Sequence, residues 1–513
     1  MARYKHYDYD QMVMLAVNLE QQIVPGTFEY ALHSLIEEKL DLSAFDACYK
    51  NDETGAPAYD PAILLKIILY AYSQGVTSSR RMSELCCQNV IFMALAAHSA
   101  PHFSTIADFI ASRQKQIEKL FRDVLLVCDE AGLIGRQMFA VDGVKLPSNA
   151  SKEWSGTKEE LRKKAEKTER AVNVLTERHR QVDGSGEPTE QDRARAKAMQ
   201  TLNKAKQKIQ NWLTDAEDKI GVSGQAKKSN ITDNESAKMK TSKGVIQGYD
   251  GVAVVDDKHQ IVVAAQAFGE GQEHQLLIPM LEATRENFKA IGEQDDVLKQ
   301  TAVSADAGFH TEANMQHLIE GGIDAYVADT LFRKRDPRFA EAARHKTSQS
   351  SRAKHFRPKD FHYDADTDTC ICPAGQFLYQ NGTHCNIGGR EAVKFTGAQR
   401  VCGPCPIRDQ CLRHPQRTAV RQVVFFTGHK YKEKHTYTEQ MKRKIDTEHG
   451  RHQYSKRLAT VEPVFANITY AKGLKRFSHR GKNKVNTQWL LYCMVHNLEK
   501  LQRYGKWDSK TRH

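Results

Sequence analysis

The stretch from Met138 to Leu146 reads as a strand, yet every segment able to pair with it lies beyond residues 151–230, which are rich in Lys, Glu, Arg, Ala and Gln. That composition favours helix and offers no period-2 alternation to a sheet. Glu159 to Arg180 and Asp192 to Ile220 are expected as two helices, separated by the breaker Asp183-Gly184-Ser185-Gly186-Glu187-Pro188. The chain must therefore begin a sheet, leave it for a long solvated helical hairpin, and return to it.

What returns is strand-like. Gly248-Tyr249-Asp250-Gly251-Val252-Ala253-Val254-Val255-Asp256 and Gln260-Ile261-Val262-Val263-Ala264-Ala265-Gln266-Ala267 flank Asp257-Lys258-His259 as a hairpin. A helix from about His274 to Ile291 follows, then a strand running into Asp306, a helix from Thr311 to Glu320 and a strand from Ile323 to Ala328. With the insert set aside the order is β-β-β-α-β-α-β, which predicts a mixed sheet with helices on its faces. Residues from about Asp10 to Gly135 are expected to be helical throughout. Pro61 to Leu69 is apolar all round, as in a buried helix, and Ser78 and Ser104 stand as N-cap residues ahead of helically spaced apolar positions. These short helices admit a helix-turn-helix that touches DNA, or a plain packing unit.

Charge narrows the partners. The chain carries a formal charge of +12, with 27% charged and 40% hydrophobic residues. From Lys430 to His513 there are 20 Lys/Arg against 7 Asp/Glu, so the surplus belongs to this end. A surplus confined to one segment points to a polyanion such as nucleic acid. Trp489-Leu490-Leu491-Tyr492 and Val495 mark that segment as folded, not as a solubilising tail. No N-terminal apolar signal segment and no long uncharged apolar run appears, which speaks against a secreted or membrane-spanning chain.

The eleven cysteines form two populations. Cys48, Cys86, Cys87, Cys128 and Cys493 sit among apolar residues, where a thiol behaves as a small hydrophobe. Cys370, Cys372, Cys385, Cys402, Cys405 and Cys411 cluster, and Cys402-Gly403-Pro404-Cys405 is a C-x2-C knuckle. Without a secretion signal such a cluster reads as zinc ligands before disulfides. Cys372, Cys402, Cys405 and Cys411 are the expected four, with Cys370, Cys385 or His384 as substitutes. The zinc would staple a small insertion that lacks a core of its own.

Three acids stand in distinctive contexts. Phe139-Ala140-Val141-Asp142-Gly143 and Ala302-Val303-Ser304-Ala305-Asp306-Ala307-Gly308 each end an apolar run in an aspartate, and Tyr454-Ser455-Lys456-Arg457-Leu458-Ala459-Thr460-Val461-Glu462 places a glutamate in a basic, helix-like stretch. Taken singly, each serves as a turn residue or a cap. Together they offer the oxygen donors that a hard divalent cation takes.

On these residues the chain resembles the DDE transposases of bacterial insertion sequences, over about Tyr7 to Leu501, and more narrowly those with an N-terminal helical domain and a cysteine-rich insertion before the final glutamate. The resemblance implies an α/β fold: an RNase H-like mixed sheet with an N-terminal all-α domain (1–135), a core (136–330) carrying the hairpin insertion 151–230, a zinc-binding insertion (331–430) and a basic C-terminal part (431–513). It implies Asp142, Asp306 and Glu462 as catalytic acids holding two Mg²⁺ or Mn²⁺ ions roughly 4 Å apart. It further implies strand cleavage by water, then joining by the freed 3′-hydroxyl, with no covalent protein–DNA intermediate. Tyr454 and Arg457 match the pair that precedes the glutamate, Arg457 contacting phosphate. Lys472, Lys475, Arg476 and Arg480 are the expected further DNA contacts, giving salt-dependent affinity. Double-stranded element ends and target DNA, a homodimer on DNA, and a cytoplasmic, nucleoid-associated location complete the expectation. An inactive DNA-binding regulator and a structure-selective nuclease are the alternatives.

The motif departs from the usual pattern: four residues separate Arg457 from Glu462, Thr469 stands where a lysine is usual, and Pro463 follows the glutamate. A proline there places Glu462 at a helix start or kink.

Overall fold

A computed structural model describes residues 18–49, 57–182, 190–215, 217–220, 224, 226–242, 244–339, 355–387, 390–426 and 436–505. The Asp183 to Pro188 breaker and the expected helical start at Asp10 lie outside them. The chain divides into two compact units, Met1–Thr330 with Met441–His513, and Leu331–Gln440.

Among the described residues of the first unit six α-helices precede the sheet: α1 (Phe28–Glu38), α2 (Pro61–Ser73), α3 (Ser79–Gln88), α4 (Val90–Leu95), α5 (Phe103–Ser112) and α6 (Gln114–Glu130). Pro61 opens α2 at its first position, and the Asp60 carboxylate accepts from the Ala62 N–H at 2.7 Å. Leu64 to Tyr72 are all buried, as the unbroken apolar run requires. At α5 the cap differs from expectation: His102, not Ser104, ends the loop. Its Nδ1 accepts from the Ser104 N–H at 3.4 Å and lies 2.7 Å from the Ser104 hydroxyl. A ring nitrogen can serve as a cap acceptor, so the helix starts two residues earlier, at Phe103.

The sheet begins with β1 (Met138–Pro147), and the insert forms α7 (Lys158–Val182) and α8 (Glu190–Asp215). These two helices pack through Leu161, Ala165 and Ile209, with Trp154, Trp212, Leu213 and Ile231 against them. Then come β2 (Ala237–Thr241), β3 (Gly244–Asp256), β4 (Val262–Phe268), α9 (Leu277–Ala290), β5 (Ala302–Ala305), α10 (Glu312–Glu320) and β6 (Ala325–Val327). The order is β6-β5-β1-β3-β2, with β4 also paired to β3; β1, β5 and β6 run parallel and the remaining pairs antiparallel. The mixed α/β architecture follows the expected order, with one strand more. β2 escaped notice because Ala-Lys-Met-Lys-Thr has a single large apolar residue, Met239.

In the second unit β7 (His362–Asp364), β8 (Thr369–Ile371), β9 (Phe377–Ile387), β10 (Arg390–Thr396) and β11 (Gln422–Phe426) form an antiparallel sheet in sequential order. Its core is Phe361, Cys370, Leu378, Val393, Phe395 and Val423.

Two C-terminal helices complete the first unit: α11 (Glu448–Ala466) and α12 (Lys482–Tyr504). Glu462 lies neither at a helix start nor next to a break, since Pro463 sits inside α11. A proline at this position leaves the carbonyl four residues back, that of Ala459, without its helical donor. The Gln260 side chain supplies one, its Nε2 donating to Ala459 O at 3.0 Å.

α12 is buried from Val485 to Leu498. Its polar side chains satisfy β4, whose outer edge has no strand neighbour. Asn497 Nδ2 donates to Val262 O and its Oδ1 accepts from Val262 N–H, both at 2.8 Å; Asn486 Oδ1 accepts from Ala267 N–H at 2.9 Å. Trp489 Nε1 donates to Val252 O at 3.1 Å, and Tyr492 stacks on Tyr72 of α2 at 4.3 Å. A helix thus closes the sheet edge and joins it to the N-terminal helices. Asn497→Ala would leave two buried backbone groups unpaired and is expected to cost about 3 kcal/mol in urea unfolding. A loss below about 0.5 kcal/mol would contradict this role.

Candidate active site

The parallel register pairs Val141 with Ala305, so the next residues, Asp142 and Asp306, stand side by side at one end of the sheet. Asp306 leaves β5 into a 3₁₀ turn and accepts from the Gly308 N–H at 2.7 Å. Asp142 accepts from its neighbour Gly143 N–H at 2.8 Å and is ion-paired with Arg457 of α11, whose side chain is 8% exposed. The Arg457 guanidinium also lies over the Tyr454 ring, 5.6 Å from its centre.

Burial governs the electrostatics. It pushes the Asp142 carboxyl up to about 6; the Arg457 charge opposes the rise and the Asp306 charge adds to it. Asp306 is raised for the same reason, with Glu273 the next largest cause. Glu273 sits in the turn between β4 and α9 and pairs with Lys145 at 2.7 Å. Asp250 of β3 is completely buried beside Glu273, and among the described residues no N–H or hydroxyl donates to either of its carboxylate oxygens. Four carboxylates thus share this end of the sheet with two cations, Lys145 and Arg457. Among the described residues no three acids, histidines or cysteines are drawn together closely enough to hold a metal as they stand.

Glu462 is placed apart from the aspartates. It is exposed, and none of the described hydrogen bonds or ion pairs joins it to Asp142 or Asp306. Five residues beyond Arg457, it projects about 140° around α11 from the side chain that meets Asp142. Lys472, expected to touch DNA, is 2% exposed and ion-paired with Glu499, so packing accounts for it. Arg476 and Arg480 are exposed and donate to the carbonyls of Ser148 at 3.0 Å and Asn149 at 2.6 Å; Lys475 is exposed. Sequence reading missed Asp250 and Glu273. Asp250 looks like one polar residue in an apolar strand, and Glu273 lies in a loop without periodicity; an acid just ahead of the helix that follows a hairpin was the only available signal.

In the second unit all six clustered cysteines are free thiols. Cys372, Cys402, Cys405 and Cys411 line one cavity of about 40 Å³, room for a single ion or water. Arg408 ties the loop together by donating to the carbonyls of Cys402, Pro415, Thr418 and Ala419 at 2.6–3.0 Å. Cys370 lies elsewhere: it is fully buried in the sheet core and does not line this cavity, and burial raises its thiol to about 11. Cys385 lies on β9, paired in register with Ala392. The His384 side chain is outside the described residues.

A family model described as a transposase DDE domain matches residues 371–502, and one described as a transposase domain (DUF772) matches residues 17–112. Both models are of transposase domains, and together they support a DDE transposase of insertion-sequence type. No curated protein matches it. The DDE match spans Arg457, Glu462 and the four cavity cysteines but ends short of Asp142 and Asp306, which are linked to it by geometry alone. Transposition is the function these domains indicate.

Asp250 carries a pH signature. Burial and the facing Glu273 charge raise its carboxyl from about 3.8 to about 8. An acid raised on folding favours the folded state below its unfolded value and loses that advantage as pH rises through the folded one. Without divalent metal, the melting temperature is therefore expected to fall from pH 5 to pH 9, and to fall less in Asp250→Asn. Parallel profiles in EDTA would contradict the buried, unpartnered placement.

Proposed function

We propose that the chain cuts and joins DNA at insertion-sequence ends through a divalent-cation site built on Asp142 and Asp306. The observation that carries the proposal is their side-by-side placement on adjacent parallel strands, half-buried and facing Arg457. The strand order, with β1, β3 and β4 joined antiparallel and the later β5 and β6 parallel to β1, supports an RNase H-like core. The donor chemistry fits: carboxylate oxygens suit Mg²⁺ or Mn²⁺, and the like charges at this end of the sheet call for a counter-cation. When bound, two such ions would activate the attacking oxygen and stabilise the leaving one.

The protein's own groups do the rest. Asp142 and Asp306 hold negative charge where the scissile phosphate must approach. Arg457 neutralises Asp142 in this state, and its buried Nε, without a partner among the described residues, offers a donor to phosphate. Glu462, the family's third acid, is exposed on the same helix and joins the site on the proposed reading when DNA is bound. Lys475, Arg476 and Arg480 provide exposed cations for the DNA backbone. Double-stranded element ends and target DNA are the proposed partners, held by a homodimer. None of the described helices is long and apolar enough to cross a membrane, and we place the chain in the cytoplasm with the nucleoid.

Zinc is proposed for the second unit. Four cysteines line one ion-sized cavity and thiolates suit zinc chemically, although the thiols must draw closer to hold it; bound there it would cross-link the loop that Arg408 already ties. Metal analysis should find one zinc per chain, reduced in Cys405→Ser; no stoichiometric zinc would contradict this.

Incubation with a supercoiled plasmid carrying the element's ends, in Mg²⁺ or Mn²⁺, tests the reaction. Nicking and joining are expected, with losses of at least a hundredfold in Asp142→Ala, Asp306→Ala and Glu462→Ala. Binding of the ends without cleavage would instead identify a DNA-binding regulator, the reading that the exposed Glu462 favours.

A further inference from the structure

We propose that Glu273 is a further carboxylate of the Asp142–Asp306 cation site, facing Asp306 across Gly308; the inference rests on the metal-dependent reading above. Gly308 shows the approach. A Cβ at this position would lie 2.1 Å from Glu273 Oε2 and 3.0 Å from Asp306 Oδ1, so the two carboxylate oxygens converge on the space that glycine leaves open. Any other residue there would push Glu273 away from Asp306.

The two ends of the Glu273 carboxylate are differently engaged. Oε1 meets Lys145 Nζ at 2.7 Å, while Oε2 is directed toward Gly308 and Asp306. The side chain is only 12% exposed, so Lys145 neutralises a charge that burial would otherwise make costly. Alternation along β1 sends Asp142 to the α11 side and Lys145 to the opposite side. Asp306, one step past its strand, feels charge from both directions, Glu273 from one and Arg457 from the other. A cation at this rim would therefore be reached by Asp142 from the Arg457 side and by Glu273 from the Lys145 side.

A second feature points to a ligand independently. Asp250, 0% exposed, has no N–H or hydroxyl donor to either carboxylate oxygen among the described residues and lies against Gly143, where a Cβ would come within 2.6 Å of Oδ1. Glu273 is the charge it feels most strongly. A buried carboxylate without a donor, set behind a second carboxylate, is destabilising unless positive charge is supplied nearby. Once pH rises far enough to ionise Asp250, Lys145 supplies one charge to a pair that carries two.

Calorimetric titration of the full chain with Mn²⁺ at pH 8 tests the inference, using Glu273→Gln, Lys145→Met and Asp306→Asn, with melting curves in EDTA as a check on folding. Glu273→Gln is expected to bind Mn²⁺ at least tenfold more weakly than the unaltered chain. Lys145→Met should bind at least as tightly, because the carboxylate loses its competing cation. Two results would overturn the role of Glu273 while leaving the Asp142–Asp306 reading intact: Glu273→Gln binding within twofold of the unaltered chain while Asp306→Asn loses binding, or Lys145→Met and Glu273→Gln losing affinity equally, the mark of a purely structural ion pair. Failure of the unaltered chain to bind Mn²⁺ would overturn the underlying reading, and Glu273 with it.

Discussion

The parallel pairing of β1 with β5 creates a problem that the rest of the first unit answers. It sets Asp142 beside Asp306 where burial disfavours their charge, and neither can turn away without breaking strand register. Arg457 answers from α11, and Lys145 with Glu273 from the loop before α9. α11 must then lie close to the end of β1, and its course over the sheet includes a proline whose orphaned carbonyl is met by Gln260. Mutual repulsion of this kind is tolerated in folded proteins chiefly where it serves function. Here it maintains a site whose negative charge exceeds what the protein itself neutralises.

The sheet can hold such a site because its other end is firmly closed. α12 hydrogen-bonds to the outer edge of β4 through Asn486 and Asn497 and stacks Tyr492 on Tyr72, so strands, N-terminal helices and C-terminus form one unit. A basic C-terminal segment therefore has two sorts of cation. Lys472 is consumed by packing against Glu499, whereas Lys475, Arg476 and Arg480 remain on the surface. Net charge alone does not separate them; burial does.

Much of this was legible in the residues, because period-2 and period-3.6 patterns report which faces are buried. The strand order, the long hairpin and the pairing of Asp142 with Asp306 follow from apolar runs that end in an acid. That Cys372, Cys402, Cys405 and Cys411 line one cavity agrees with their clustering in the sequence and the C-x2-C spacing of two of them. What stayed hidden depends on three-dimensional neighbours. Cys370 lies within β8, whereas Cys372 stands just past its end in a turn, so one thiol is buried in the sheet core and the other lines the cavity. Lys472 differs from Lys475 by its position on a turn. Asp250 and Glu273 carry no periodic signal, since one interrupts an apolar strand and the other sits in a loop. Pro463 suggested a helix start or a kink; the helix runs on through it, and the residue that meets its orphaned carbonyl, Gln260, lies about two hundred positions away in sequence.

The central claim is that Asp142 and Asp306 jointly hold a divalent cation. Crystals of the full chain bound to an element end and soaked in Mn²⁺ would test it through the anomalous difference map. The account expects a manganese peak between the two aspartate side chains, within direct coordination distance of both. Manganese bound only elsewhere, with Asp142 still paired to Arg457 and no peak beside Asp306, would contradict it.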